Sequence, residues 1–281
     1  MSDISPLSEI HGDSRLAANV TVGPFCVIGP HVSIGPGTRL DSHVTIVGHT
    51  TIGRGNRFFP GSVIGADPQD KSYRATGTRL EIGDDNVFRE GVTINRGSEK
   101  EDGCTRVGSR NLMMANAHVA HNCHVHDDVT LTNAVLLGGH VHVHDRATLS
   151  GNTAVHHFTT IGTLSFTAGC CRLIRDLPPY MQAAHTDRPR VVAVNTVGLK
   201  RAGFAAETIL LLRRAFFQLF RKHRPLPEVR AEFDQEFNGG LPFELTNLFD
   251  FIHEQEQGRN GRAREIYRQS PPAADITRQA A

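Results

Sequence analysis

Four histidines, His118, His121, His124 and His126, fall within the eleven residues NAHVAHNCHVH at positions 116 to 126. Imidazoles at this density suit three kinds of chemistry. One ring can act as a general base in a cleft, with the others lining it. Three can hold a zinc ion. Or the rings can decorate a solvated face with no chemistry at all. Ring chemistry does not choose among these. The direction in which each ring points does, and that depends on the element that carries it.

Stepping by six from Ile10 gives Leu16, Val22, Ile28, Ile34, Leu40, Ile46, Ile52, Phe58 and Ile64, all aliphatic or Phe. The pattern pauses over 66–79 (ADPQDKSYRATGTR) and returns at Ile82, Phe88 and Ile94. A second polar stretch, 95–106 (NRGSEKEDGCTR), shifts the phase by one. Ten more anchors then run from Val107 through Met113, Val119, Val125, Leu131, Leu137, Val143 and Leu149 to Val155 and Ile161. Six is even, so strand alternation stays in phase from repeat to repeat. The anchor and the residue two before it point inward, as Val20, Cys26, Val32, Thr38, Val44, Thr50 and Ser62 suit. The Gly that follows many anchors (Gly23, Gly29, Gly35, Gly53, Gly65) is expected to permit a corner. Short strands joined by corners and stacked on copies of themselves predict a parallel β-helix with two excursion loops.

At this point the chain resembles the hexapeptide-repeat transferases. That resemblance implies triangular coils of eighteen residues wound left-handed, so the 23 anchors make between seven and eight coils. Stepping by eighteen then maps His121 onto Gly139, beside His140, and onto His157, beside His156. His124 maps onto His142 and His126 onto His144, on another outer face, for which the solvated reading is preferred.

Several stretches together carry a narrower resemblance. They are VGPFCVIGPHVSIG (22–35), SHVTIVGHTTIGRGN (42–56), DPQDKSY (67–73), FREGVTINRG (88–97), VGSRNLMMANAHVAHNC (107–123), LGGHV (137–141), GNTAVHHFTTIG (151–162), DLPPY (176–180) and NTVGLKRAGF (195–204). They resemble the acyl-carrier-protein-dependent UDP-N-acetylglucosamine O-acyltransferases of lipid A biosynthesis over roughly residues 10 to 225. The resemblance implies a cytoplasmic homotrimer without cofactor or metal, with sites between neighbouring subunits. It would move an acyl chain, such as a 3-hydroxyacyl chain, from acyl carrier protein to the sugar 3-position. His121 would be the general base and the Gly139 backbone N–H the oxyanion donor. Asp70, His118, Asn122, His140, His156 and His157 would line the sugar and acyl cleft, and Asn195 and Arg201 would contact the nucleotide end. Gly169 would leave room for a long acyl chain.

The chain departs from the family pattern at several of these places. Asn122 follows the base where many members have Asp, and an amide orients the ring without lending it charge. His157 replaces a frequent Gln, Ser72 stands where a Lys is common, Val197 replaces an acidic residue and Ala202 a second Arg. A 3-amino sugar or another UDP sugar therefore stays open as acceptor, as does a zinc enzyme of the carbonic anhydrase kind.

Past about residue 190 the period of six ends. The expected division is 1–190 as the β-helix, 191–255 as a helical C-terminal domain and 256–281 as a flexible tail without an apolar stripe. Ile209, Leu212, Phe216 and Phe220 fall on one helical face, followed by Val229, Phe233 and Phe237 on a second helix and FELTNLFDFIHEQ as a third. Arg213, Arg214, Arg221, Lys222 and Arg224 form a basic run that can dock an acidic carrier protein. A net charge of +1 gives no case for nucleic acid. No apolar run reaches a membrane span, and the opening MSDISPLSEIHGD reads as no signal peptide. Five cysteines without framework spacing read as reduced thiols.

Overall fold

The computed structural model describes residues 3–186 and 189–257, so residues 258–281 of the expected tail lie outside the described residues. Strands of two to four residues run in parallel around a left-handed prism, each paired with the strand one coil away. Together with one antiparallel strand at the C-terminal end they form, among the described residues, three sheets of eleven, nine and eight strands. The shortest sheet sets eight complete coils, and the other two sheets continue at the C-terminal end. This is more than the anchor count predicts, because the winding begins at Asp3–Ile4, before the first anchor, and persists through Phe166–Thr167 and Arg172–Leu173. Thr167 is buried where an aliphatic anchor is expected, its hydroxyl accepting from the Ser150 N–H at 3.0 Å.

The interior is filled as the period of six requires. Every anchor from Val22 to Ile161 is buried, as are the residues two before them. Ile10 and Leu16 are only partly buried, at the open end of the prism. One column uses polar side chains instead: Asn56, Asn86 and Asn111, all buried, lie two before Phe58, Phe88 and Met113. Asn86 Nδ2 donates to Asn56 Oδ1 at 2.9 Å, and the Asn111 N–H donates to Asn86 Oδ1 at 2.8 Å, so the ladder satisfies corner groups that no strand can reach. None of the five cysteines is bonded to another.

The corners differ from the expectation. The left-handed residue is the third after the anchor, as at Asn19, Phe25, His31, Arg110, Asn122, His140 and Phe158, and it is usually not glycine. Each such residue costs about 1–2 kcal/mol of backbone strain, held in place by the coils above and below. Gly23, Gly35 and Gly53, directly after anchors, serve close approach instead, whereas Gly65 is itself left-handed, with φ 78°. A Cβ on Gly23 would lie 2.9 Å from the Asp41 carbonyl carbon, and one on Gly35 2.5 Å from that of Gly53.

Both excursions leave the nine-stranded sheet and rejoin the eight-stranded one, so they emerge from the same corner of the prism. Strand partners His49 and Arg79 are 30 residues apart, and Arg79 and Cys104 are 25 apart, against 18 for His124 and His142. Twelve extra residues are two repeats and keep the phase. Seven are one repeat plus one, which is the observed shift. The second excursion rejoins at Cys104, sooner than expected, because Cys104 pairs with Arg79.

At the C-terminal end an antiparallel hairpin of Met181–Ala184 and Arg190–Val194 closes the eleven-stranded sheet. Among the described residues four helices follow: α1 (Thr196–Arg201), α2 (Ala206–Phe216), α3 (Leu226–Glu236) and α4 (Phe243–Glu256). A π-helical turn, Phe217–Arg221, extends α2 and leaves Phe217 half exposed. Leu199, Ile209, Leu212, Val229, Phe233 and Leu248 join the same apolar core as the prism. Asn247 Nδ2 donates to the buried Tyr180 hydroxyl at 2.8 Å, tying α4 to the last coil. The sheet edge that would otherwise invite pairing is thereby covered. Among the described residues no helix is long and apolar enough to cross a membrane.

Candidate active site

His121 sits on the corner from which the excursions emerge, one coil further along. The register His118↔Leu136 and Val119↔Leu137 places Gly139 over His121, and the His140 N–H donates to the His121 carbonyl at 3.0 Å. The approach is close: a Cβ on Gly139 would lie 2.8 Å from Cε1 and 2.9 Å from Nε2 of the His121 ring. Glycine is required here by the imidazole itself, with no left-handed φ involved. Among the described residues the Gly139 N–H has no protein acceptor, so a backbone donor is left unspent one coil above the ring.

The tautomer of His121 follows from its neighbours. Asn122 is fully buried and left-handed, with φ 57°. Its Oδ1 accepts from the Ser98 N–H at 2.9 Å and the Ser98 hydroxyl at 2.8 Å, while Nδ2 donates to the carbonyls of Ser98 at 3.3 Å and Lys100 at 2.7 Å. A backbone N–H can only donate and a carbonyl only accept, so the amide orientation is fixed. His121 Nδ1, 2.8 Å from Asn122 Oδ1, must therefore carry the proton. Nε2 is left with its lone pair. Thr105 supports the arrangement from beneath, its hydroxyl accepting from the Asn122 N–H at 2.8 Å.

Burial lowers the His121 pKa, opposed by the hydrogen bond to Asn122. The ring is thus a neutral base at ordinary pH. The acid limb of kcat/KM is expected below pH 6.5, the ordinary imidazole value, with activity lost as pH falls through it. A pH–rate profile checks this. Burial also lowers His118, whose Nδ1 lies 2.7 Å from the Thr93 hydroxyl. His140 is buried, edge-on to His121 with centroids 5.2 Å apart, stacked on Phe158 at 4.3 Å and 3.0 Å from a Glu101 carboxylate oxygen. His156 and His157 pack together one coil above, with centroids 3.7 Å apart.

Asp70 reaches the same corner from the first excursion, with Oδ2 3.9 Å from His121 Nε2. Burial works to raise its carboxyl, but hydrogen bonds from Lys100 and Ser72 outweigh that and hold it well below the usual carboxylate range. Ser98, Lys100, Glu101 and Thr105 are site residues that the periodicity does not single out. Their signal is the register: the second polar excursion lies one coil beneath His121.

Other expected residues stand apart. Gly169 lies at the far edge of the nine-stranded sheet, three coils along from residue 115, where a Cβ would meet only the Gly151 carbonyl, at 3.4 Å. Asn195 is the N-cap of α1, accepting from the Gly198 N–H at 3.1 Å and donating to the Leu164 carbonyl at 2.9 Å, at a different corner from His121. Arg201 is exposed at the end of α1. The second histidine column lies on the eight-stranded sheet. His124 stacks on His142 with centroids 4.6 Å apart, and Arg106 reaches His124 at 3.0 Å. The concavity there, about 390 Å³, is walled by ion-paired Glu81 and Arg106 with His124 and His126, and His121 does not line it.

A parallel prism of hexapeptide repeats with an oriented imidazole beside a backbone donor defines a hexapeptide-repeat transferase. Residues 7–42 match the bacterial transferase hexapeptide model, and 176–260 match the second domain of UDP-N-acetylglucosamine O-acyltransferase. The chain is 44% identical over 220 residues to the acyl-[acyl-carrier-protein]–UDP-N-acetylglucosamine O-acyltransferase of Synechocystis, covering 78% of each chain. It is 44% identical over 250 residues to that of Sinorhizobium fredii, covering 89% of this chain and 91% of the relative. LpxA from Acinetobacter baumannii superposes with a TM-score of 0.85 at 34% identity, over 89% of this chain and 96% of that one. The chain belongs to the acyl-[acyl-carrier-protein]–UDP-N-acetylglucosamine O-acyltransferase family.

Proposed function

We propose that this protein transfers an acyl chain, such as a 3-hydroxyacyl chain, from acyl carrier protein to the 3-position of UDP-N-acetylglucosamine, the first step of lipid A biosynthesis, in the cytoplasm. The sugar 3-hydroxyl gives its proton to His121 Nε2 as its oxygen attacks the thioester carbonyl. The Gly139 N–H donates to the oxyanion that forms. Collapse breaks the C–S bond, and the imidazolium returns the proton to the departing carrier thiolate. Asp70, His118, His140, His156 and His157 line the cleft and orient the sugar and acyl group. The observation that carries this reading is the fixed tautomer of His121, with Nε2 turned toward Gly139.

Asn195 and Arg201 sit at another corner of the prism, so a nucleotide reaches them and His121 together only where a second copy completes the cleft. The outward column of the nine-stranded sheet supports such packing in a trimer. It runs Val27, Thr45, Val63, Thr93, His118, Leu136, Ala154, and Val27 and Leu136 are exposed apolar side chains. The basic run on α2 and the turn that follows it is partly spent on local pairs, Arg214 with Glu236 and Arg224 with Glu232, which leaves Arg213 and Lys222 for an acidic carrier. Mass analysis of products from UDP-N-acetylglucosamine and a panel of hydroxyacyl carriers tests the reading. A monoacylated UDP sugar supports it, and no acyl transfer to this acceptor overturns it.

Open space at Gly169, three coils from the base, suits a long chain lying along the nine-stranded sheet. Gly169→Met is expected to move the preferred acyl length down by several carbons while the fold is retained. Competition between long and short acyl carriers measures this.

A further inference from the structure

The two excursions are laced to each other over His121. Arg96 pairs with Asp67 and donates to the Tyr73 hydroxyl at 3.1 Å. Glu99 accepts from the N–H groups of Arg74 at 3.0 Å and Thr76 at 3.2 Å. Between these outer ties lies Lys100, which grips both sides of the base. Its carbonyl accepts from Asn122 Nδ2 at 2.7 Å, steadying the amide that orients His121 Nδ1. Its ammonium lies 2.5 Å from Asp70 Oδ2, the oxygen that faces His121 Nε2 at 3.9 Å. Ser72 donates to the other carboxylate oxygen, through its N–H at 2.9 Å and its hydroxyl at 2.8 Å. The three side chains are 22%, 17% and 13% exposed for Lys100, Asp70 and His121, so water screens their mutual field only weakly.

We propose that Lys100 is a positioning residue of the acyl-transfer site, binding Asp70 so that its carboxylate does not capture the imidazole and the Nε2 lone pair stays available. This rests on the general-base reading of His121. The groups that face the ring are Asp70 and Lys100 from the excursions, His118 from its own coil, and His140 from the coil above, with Glu101 behind His140. Among the described residues only Asp70 is an anion beside Nε2. Its attraction for an imidazolium favours the protonated ring, and the Lys100 cation offsets it. Without Lys100 the carboxylate would pair with a protonated His121, and the base would be lost at a higher pH.

The test compares Lys100→Met, Lys100→Arg and the double variant Asp70→Asn/Lys100→Met in the full chain. The readouts are the pH profile of kcat/KM and the His121 ring titration followed by nuclear magnetic resonance, assigned with His121→Gln. Lys100→Met is expected to move both the acid limb and the ring titration up by about one pH unit. At a pH below the limb this lowers kcat/KM by about tenfold. KM for the acyl carrier should stay within about twofold. Lys100→Arg, and the double variant that removes the pair together, should titrate close to the parent. A His121 titration in Lys100→Met that matches the parent overturns the proposal, as does a shift that persists in the double variant. Absence of acyl transfer in the parent overturns the catalytic reading instead, and the ring titration distinguishes the two failures.

Discussion

In the His121→Ala variant, kcat for acyl transfer is expected to fall by roughly 10²- to 10⁴-fold, the range that general bases contribute. The β-helix should remain intact. Val119 and Cys123 on either side stay buried, and the His121 carbonyl keeps the His140 N–H, so the side chain bears little of the corner's stability. Steady-state kinetics at saturating sugar and acyl carrier, with circular dichroism as the check on folding, measures this. Unchanged turnover in a folded variant removes His121 from the mechanism. Asn122 makes a different contribution. Its amide is held by Ser98 and Lys100 and decides which ring nitrogen is free, but it carries no charge for an imidazolium. The carboxylate nearest the ring is that of Asp70 from the first excursion, which lies on the Nε2 side and is paired with Lys100.

Gly139→Ala is the second large effect. A methyl group at 2.8–2.9 Å from the His121 ring cannot be accommodated without moving the imidazole or the coil above it. The ring is anchored through Nδ1 to a buried amide, so it gives by rotating Nε2 out of line. A displacement of this kind is expected to cost about 10²-fold in kcat, because a base and an oxyanion donor must act on the same reacting group. KM for the acyl carrier should change little, since the residues proposed to dock it, Arg213 and Lys222, belong to the helical end of the chain. Gly169→Ala is the matched control: the added methyl there meets one carbonyl at 3.4 Å, and kcat should stay close to that of the parent. A Gly139→Ala enzyme as active as the parent contradicts the close approach of residues 139 and 121.

The architecture was legible because it repeats. A buried anchor at every sixth position, from Val22 to Ile64 and again from Val107 to Ile161, fixes strand alternation, and the eighteen-residue coil then places Gly139 over His121. The corners were misread because glycine after an anchor has two physical uses. Conformational freedom was the expected one, whereas Gly23 and Gly35 give room to the next coil and the left-handed φ falls on Phe25, Asn122 or Phe158. The excursions follow no period, so no local pattern joins Lys100 to Asp70, thirty residues earlier in the chain. Their meeting is set by both loops leaving one corner, which the extra twelve and seven residues in those coils encode only indirectly. The hairpin at Met181–Ala184 and Arg190–Val194 was missed for the same reason, since it is antiparallel and belongs to no repeat. The side chain of Asn195 also caps α1, a role the period of six does not announce.

The most direct test of the account is a structure with the acylated UDP-sugar product bound. The ester oxygen on the sugar 3-position should lie within about 3 Å of His121 Nε2, and the ester carbonyl oxygen within about 3 Å of the Gly139 nitrogen. A product whose ester lies against His124 and His142, or one that reaches His121 with its carbonyl turned away from Gly139, would contradict it.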